Sequence, residues 1–313
     1  MAIIPPSQES YTLAAKTLLD GGVVSFPTET VYGLGCDTFN ESAINEVYAL
    51  KNRPKNNPMI AHVLDVSWVN QLCTRWSDEC NQLVEAFWPG PLAIVVPRKE
   101  PVPKTACGGF DTIAIRSPSH PVARMLLATF DNPISAPSAN KSGHISPTTA
   151  QHVVDEFGES ITILDGGSCE RGIESTVISM TGAPTILRLG SVTPEEIQNI
   201  IGEVHTKPTS SQSNSPGTST RHYAPITKVT LLEGKHICEV NDPDCIVITM
   251  HANPVAARCN FQMPKNAQEY ARKLYLILRE ADAIGANLIC IETPPNSQKW
   301  QAINDRLQRC GSD

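Results

Sequence analysis

The chain has 313 residues, enough for about two domains, each with a core of its own. Its 41% hydrophobic and 18% charged residues exclude disorder as the main state, and apolar runs such as Leu92 to Val96 are far too short to cross a bilayer. A net charge of −7, from 25 basic and 32 acidic residues, excludes a global basic footprint, so nucleic-acid contact is expected to be local or carried by a partner.

The N-terminus has no basic segment followed by an apolar stretch, which predicts a soluble, cytoplasmic protein. Residues 8–20 place Tyr11, Leu13, Ala14, Ala15, Leu18 and Leu19 at helical spacing, stop at Gly21-Gly22 and lead into a strand at 23–26. After a glycine-bearing loop, Asn40 caps a helix with Ile44, Val47 and Tyr48 on one face and Lys51 near its end, followed by a strand at 59–63. Ser77 opens a helix with Leu83, Val84 and Phe87, which stops at Trp88-Pro89-Gly90-Pro91 before a strand at 92–96. A strand at 112–116, a helix near 120–130 and a buried segment at Ile134-Ser135-Ala136 continue the alternation. Ser146-Pro147 reads as the N-cap and first residue of a helix carrying Val153, Val154 and Phe157, and Thr193-Pro194-Glu195-Glu196 as a capping box. Between Lys207 and Thr220, eleven of fourteen residues are Ser, Thr, Pro or Gly, which predicts a linker ending in Arg221-His222-Tyr223-Ala224-Pro225. Strands at 227–232, 245–249 and 288–291, a helix through Tyr270, Leu274 and Leu278, and a final helix with Trp300, Ile303 and Leu307 predict a small doubly-wound domain. The expected division is 1–204, 205–225 and 226–313.

Ten cysteines without a C-x-x-C pair give a zinc or thioredoxin-like site little support and are expected to be reduced and structural. The phosphate loop G-x-x-x-x-G-K-[ST] is missing, Gly33-Leu34-Gly35 lacks the third glycine of a dinucleotide fingerprint, and neither H-E-x-x-H nor G-x-S-x-G occurs. Polar clusters at strand-to-loop transitions remain, where an α/β sheet normally exposes its site. Thr28-Glu29-Thr30 to Gly35 offers hydroxyls and glycine backbone to a ligand, or is a plain turn. Lys51-Asn52-Arg53-Pro54-Lys55 has the charge density phosphates need, or is a solvated helix end. Ser135-Ala136-Pro137-Ser138-Ala139-Asn140-Lys141-Ser142-Gly143 is an anion site or a capped loop. Arg116 ends an apolar strand and could hold a carboxylate or be a surface charge, while Arg188, inside Ile186 to Gly190, calls for a ligand or an ion-pair partner.

Pro27-Thr28-Glu29-Thr30-Val31-Tyr32-Gly33-Leu34-Gly35, Lys51-Asn52-Arg53-Pro54, Ala136-Pro137-Ser138-Ala139-Asn140-x-Ser142-Gly143 and Glu174-Ser175-Thr176-Val177 resemble the YrdC-type family in order and spacing. The linker, with Ser215-Pro216-Gly217 and Arg221 to Pro225, is similar to that of the long two-domain branch, whose members are L-threonylcarbamoyladenylate synthases. The resemblance implies a twisted mixed sheet with helices on its faces, a small Rossmann-like domain, and a Ser/Pro-rich linker between them. It further implies that L-threonine, bicarbonate and ATP, with Mg²⁺, form threonylcarbamoyl-AMP and pyrophosphate. A separate transferase complex would then carry the group to tRNAs reading codons that begin with A, with at most transient tRNA contact and no membrane.

By the same resemblance, Thr30, His62, Arg116, Ala136 and Thr176 would hold threonine, with Arg116 on its carboxylate. Arg53, Asn57, Thr112, Ser138, Ser146, Arg188 and Tyr223 would hold ATP, Tyr223 closing over the nucleotide as a lid. Lys51 and Arg53 would stabilise charge on the phosphates, and Ser138 and Asn140 would line the reacting centre; no metal ligand is assigned. Thr218-Ser219-Thr220, and Ser297 to Gln301 before Ala302-Ile303-Asn304-Asp305-Arg306-Leu307, depart from the family's pattern. Two alternatives stand beside this one. The first is the hydrogenase-maturation branch, which would bring acylphosphatase and zinc-finger segments not visible in the sequence. The second is an RNA-binding, translation-associated protein using a basic face around Lys51, Arg53 and Lys55.

Overall fold

The computed structural model describes residues 3–206, 222–237, 239–251 and 256–311. The linker expected at 207–220, together with Arg221, lies outside the described residues. The first part of the chain runs β1 (Ile3–Ile4), α1 (Gln8–Leu19), β2 (Val24–Phe26), β3 (Gly33–Asp37), α2 (Glu41–Lys51), β4 (Ile60–His62), α3 (Asp78–Phe87), β5 (Leu92–Pro97) and β6 (Thr112–Arg116). It continues with α4 (Pro121–Phe130), β7 (Ile134–Ala136), α5 (Ala150–Phe157), β8 (Thr162–Leu164), β9 (Thr176–Ser179), β10 (Thr185–Arg188), α6 (Pro194–Ile201) and β11 (His205–Thr206). The second part runs β12 (Lys228–Leu232), α7 (Gly234–Ile237), β13 (Asn241–Thr249), β14 (Ala256–Gln262), α8 (Ala267–Ala283), β15 (Leu288–Glu292) and α9 (Gln301–Cys310).

Polar side chains start the helices as the sequence predicts: Asn40 accepts from the Ala43 amide, Ser77 from that of Cys80, and Thr193 and Glu196 close a complete capping box. Among the described residues the first sheet has the order β1-β8-β2-β3-β7-β4-β6-β5-β9-β10-β11 and mixes parallel and antiparallel pairs; the second, β12-β15-β13-β14, is wholly parallel. Helices α1 and α4 cover one region of the first sheet, with Leu18, Leu126 and Leu127 packed on Val24 and Phe26. Ile44, Val47, Leu83, Val153 and Ile197, from α2, α3, α5 and α6, bury Leu92, Ile94 and Ile115 in another. The third large cluster joins the domains, packing Val31, Ile145 and Ile173 with Tyr223 and with Tyr270, Leu274, Tyr275 and Ile303. No helix among the described residues is long and apolar enough to cross a membrane.

Two expectations are corrected. The segment from Gly33 is not all loop: β3 pairs antiparallel with β2, Gly35 opposite Val24. Glycine permits this, because a Cβ at Gly35 would stand 2.6 Å from both Ile134 and Phe26. Ser146-Pro147 does not open a helix either. The Tyr32 and Cys169 amides donate to the carbonyls of Pro147 and Thr148, holding this stretch extended, and Thr149 caps α5 instead. The short strands β8 and β14 went unanticipated: three residues carry no readable period, and β14 is a half-exposed edge strand.

Gly190 fixes the height of the chain just before β9, since a Cβ there would overlap the backbone of Glu174, Ser175 and Thr176. Gly190→Ala is expected to cost about 1–3 kcal/mol in urea unfolding, as overpacking does. Gly182→Ala, where nothing lies within 4 Å, should change stability by less than about 0.5 kcal/mol.

Candidate active site

The first sheet leaves one patch without a helix over it. On that face Ile60, Ala93, Ala114 and Val177 form a small cluster, and Ala136 stands opposite Ile60 in register. Small side chains keep the patch low, and a cavity lies above it, lined along the sheet by Gly33, Ile60, His62, Arg116 and Ala136. The site therefore sits on the open face of the sheet, whereas the sequence pointed to the strand ends. The reason is that His222 and Tyr223 line the cavity over this face, with Tyr223 packed on the second domain, contacts that no local pattern announces.

Arg116 and His62 end β6 and β4 and are partners in register. Arg116 is 3% exposed, so its charge needs a partner within the fold. Glu29 supplies it at 2.5 Å, while Nη1 donates to Thr30 Oγ1 at 2.9 Å and Nε to the Gly90 carbonyl at 3.2 Å. A guanidinium has five N–H donors, so two remain for a ligand. Burial alone would raise the Glu29 carboxyl, but the Arg116 cation and its hydrogen bond hold it below the usual range. Thr28 and Thr30 share a hydroxyl hydrogen bond of 2.8 Å that fixes the loop after β2. His62 stands edge-on to Phe26, with Nδ1 3.1 Å from the Ile60 carbonyl; burial, and then the Arg116 charge, lower its pKa to about 3 and keep it neutral.

The cations of the second cluster point inward. Lys51 is 1% and Arg53 7% exposed, and only Lys55 is on the surface, donating to Asn45 at 2.7 Å. A solvent-facing basic strip for RNA is therefore not formed there. Lys51 Nζ donates to the carbonyls of Ser138, at 2.6 Å, and Asn140, so this ammonium shapes the 138–140 turn from behind the cavity. Burial, then Arg53, push the Lys51 pKa well down. Arg53 lines the cavity; Nε and Nη2 are taken by carbonyls of Asn57 and Pro58 and by Asn57 Oδ1 at 2.7 Å. Asn57 thus orients Arg53 and does not itself face the cavity. Ser138 lines the cavity, and Asn140 lies behind it with a buried Oδ1 that accepts no hydrogen bond among the described residues.

The third wall carries Arg188, whose Nε and Nη2 donate to the Ser175 carbonyl at 3.1 and 2.9 Å, and Tyr223, 1% exposed at the mouth. Ser146 is wholly buried and donates to Glu174 at 2.6 Å. Thr176 and Thr112 are not among the lining residues: the Thr176 hydroxyl donates to the Val192 carbonyl at 2.6 Å, and Thr112 lies at the far start of β6, opposite Pro97. Glu29, His222 and Glu174, which sequence reasoning left without a role, all meet the site, together with Tyr275 and Arg306 of the second domain. A charge on the apolar face of α9, beside Ile303 and Leu307, was the one legible signal for Arg306.

A family profile described as telomere recombination, covering Sua5, YciO and YrdC, matches residues 16–190. A second, described as the C-terminal domain of threonylcarbamoyl-AMP synthase, matches residues 192–312. The chain belongs to the Sua5/YciO/YrdC family, in the form that carries both domains, and is an enzyme of that family. It is 36% identical to a threonylcarbamoyl-AMP synthase of Pyrococcus abyssi over 95% of this chain and 92% of that one. A Bacillus subtilis protein of the same name is 41% identical over 71% of this chain and 66% of its own length. The solved structure of P. abyssi Sua5 complexed with L-threonine superposes with a TM-score of 0.93 at 35% identity, covering 99% of this chain and 96% of that one.

His62 is protonated in the unfolded chain below about pH 6.5 but stays neutral in the fold until about pH 3. The unfolded state therefore binds the extra proton in that window, so stability is complete above it and falls as pH drops through it. His62→Gln should flatten the dependence of unfolding free energy on pH between 4.5 and 6 by about 1.4 kcal/mol per pH unit, one proton's share; urea titrations at stepped pH measure this.

Proposed function

We propose that this chain is a nucleotidyltransferase that joins L-threonine, bicarbonate and ATP into L-threonylcarbamoyl-AMP, releasing pyrophosphate, for threonylcarbamoyladenosine in tRNAs reading codons that begin with A. The observation that carries the proposal is the buried Arg116, anchored by Glu29 and Thr30 on the open sheet face with two donors to spare. An amino-acid carboxylate fits those donors, with neutral His62 and Thr30 beside it and the apolar Ile60 and Ala136 for the side-chain methyl. The threonine complex of the P. abyssi relative supports the same ligand class.

In the proposed reaction the threonine amine, as the neutral base, attacks the carbon of carbon dioxide and gives up a proton, or attacks that of bicarbonate and expels water, leaving a carbamate in either case. A carbamate oxygen then attacks the α-phosphorus of ATP as the bond to the β-phosphate oxygen breaks. Two anions meet in that step, and Arg53 and Arg188, both on the cavity wall, offset their repulsion. Lys51 contributes through the turn it fixes, which presents Ser138 and leaves Asn140 Oδ1 an acceptor in need of a donor. Positioning supplies much of the rate when reactants are held in near-attack geometry.

The residues do not form a resident metal site. Glu29 and Glu174 are engaged by Arg116 and Arg306, and no group of three His, Cys, Asp or Glu among the described residues could hold an ion. Mg²⁺ would enter on the ATP phosphates, keeping water ligands, as it commonly does. The downstream transferase complex belongs to the proposal as the consumer of the adenylate.

The cavity holds about 50 Å³, well under the roughly 300 Å³ at the small end of ligand sites. ATP entry therefore requires residues 222–223 to move, and their return would shield the labile adenylate from water.

Pyrophosphate release that depends on both L-threonine and bicarbonate is the primary expected outcome; release indifferent to threonine sinks the proposal. Arg116→Lys keeps a cation for Glu29 but loses the fork, and should weaken threonine binding by about 1–3 kcal/mol, read by calorimetry. Tyr223→Ala should lower adenylate yield and speed its hydrolysis; unchanged values would dismiss the lid.

A further inference from the structure

The second domain meets the cavity wall from behind, through a fully buried side chain bonded to Glu174. Arg306, on α9, has no exposed surface. Its Nε donates to Glu174 at 2.9 Å, Nη1 to Asp305 at 2.7 Å and Nη2 to the Leu189 carbonyl at 2.8 Å. The same guanidinium lies 4.9 Å from the centre of the Tyr223 ring, which stacks against Tyr275 at 5.8 Å and 21°. Tyr275, on α8, also donates to Glu174 at 2.9 Å. Glu174 therefore receives Arg306, Tyr275 and Ser146 at once, and it lines the cavity.

These contacts divide the site. The groups proposed for threonine, Thr30, His62 and Arg116, make their hydrogen bonds within the first domain. Of those proposed for the nucleotide, Arg53 and Arg188 are also held within the first domain, but two are tied to the second: Ser146 through Glu174, and Tyr223 by its ring and by its carbonyl, which accepts from the Cys310 thiol at 2.9 Å. Tyr223 holds a left-handed φ of 60°, which a tyrosine keeps only when its surroundings impose it. A carboxylate facing the place where phosphates must arrive is tolerable only when it is neutralised.

We propose that Arg306 is a positioning residue for the nucleotide half of the site, neutralising and aiming Glu174 and seating the Tyr223 ring, so that the second domain governs ATP affinity and leaves threonine affinity alone. This deepens the adenylate reading and rests on it. The full chain and its variants are titrated with ATP and, separately, with L-threonine in a calorimeter. Arg306→Met should weaken ATP binding at least tenfold and change threonine binding less than twofold. Arg306→Lys should fall between. Adding Glu174→Gln to Arg306→Met should recover at least threefold of the ATP affinity, because the unpaired buried carboxylate is gone.

A residue that only packs the interface would lower thermal stability without separating the two affinities and would not be rescued by Glu174→Gln. Should Arg306→Met fail to fold, Tyr275→Phe removes one hydrogen bond on Glu174 while keeping the ring on Tyr223, and should weaken ATP binding three- to tenfold with threonine unchanged. Equal losses for both ligands, no loss, or tighter ATP binding would overturn the positioning role while the adenylate reading stands. An unaltered chain that binds no ATP would defeat both.

Discussion

Buried charge that must be compensated is the constraint on which this site depends. Arg116 and Arg306 are both almost or wholly removed from water, and each is matched by a carboxylate: Glu29 behind Arg116, and Glu174, which itself lines the cavity, beside Arg306. Removing either partner of such a pair leaves a lone charge in a poor solvent, at a cost of about 3–5 kcal/mol. The pairs are therefore weak as a source of stability and strong as a device for fixing geometry. Glu174 shows the balance: burial would raise its carboxyl, yet Arg306, then Arg188, and the Ser146 hydroxyl hold it down to about 2.

The open patch of the first sheet gives this electrostatic frame its place. Alanines 93, 114 and 136 keep the floor shallow, and no helix residue packs in the small cluster of Ile60, Ala93, Ala114 and Val177. His222 and Tyr223 supply the missing cover, and Tyr223 packs into the cluster that joins the domains. A two-domain architecture thus bears on the site, with the first domain carrying the Arg116 floor and the second packing against Tyr223. His222 fits this picture: its buried Nδ1 has no partner among the described residues, and burial depresses its pKa to about 3. It is a neutral, unsatisfied group that a ligand or a different lid position would satisfy.

Much of this was legible in the sequence because much of it is local. Helix starts at Asn40, Ser77 and Thr193, and the apolar strands at 92–96 and 112–116, follow from capping chemistry and period alone. The clusters at Thr28, Lys51 and Ser138 were visible as polar density beside glycines, and the resemblance to a family grouped them before any geometry did. What sequence could not separate was a side chain that faces the cavity from one that supports it. Lys51 by charge density, and Asn57 by the family resemblance, read as nucleotide contacts but spend polar atoms on the turn and on Arg53, while Thr176 gives its hydroxyl to Val192.

By itself, the sequence determined the α/β alternation, the family and part of the set of residues from which the site is drawn, because hydrophobic period, caps and motif spacing act over a few residues each. The tertiary structure decided which of those residues share a cavity, that Gly33 to Asp37 forms a strand, that Ser146 serves Glu174 and not a helix, and that Arg306 backs the wall residue Glu174 from 132 positions away in the chain. Those outcomes depend on long-range packing and on the pairing of charges that water has left, and neither is written in any short stretch of sequence.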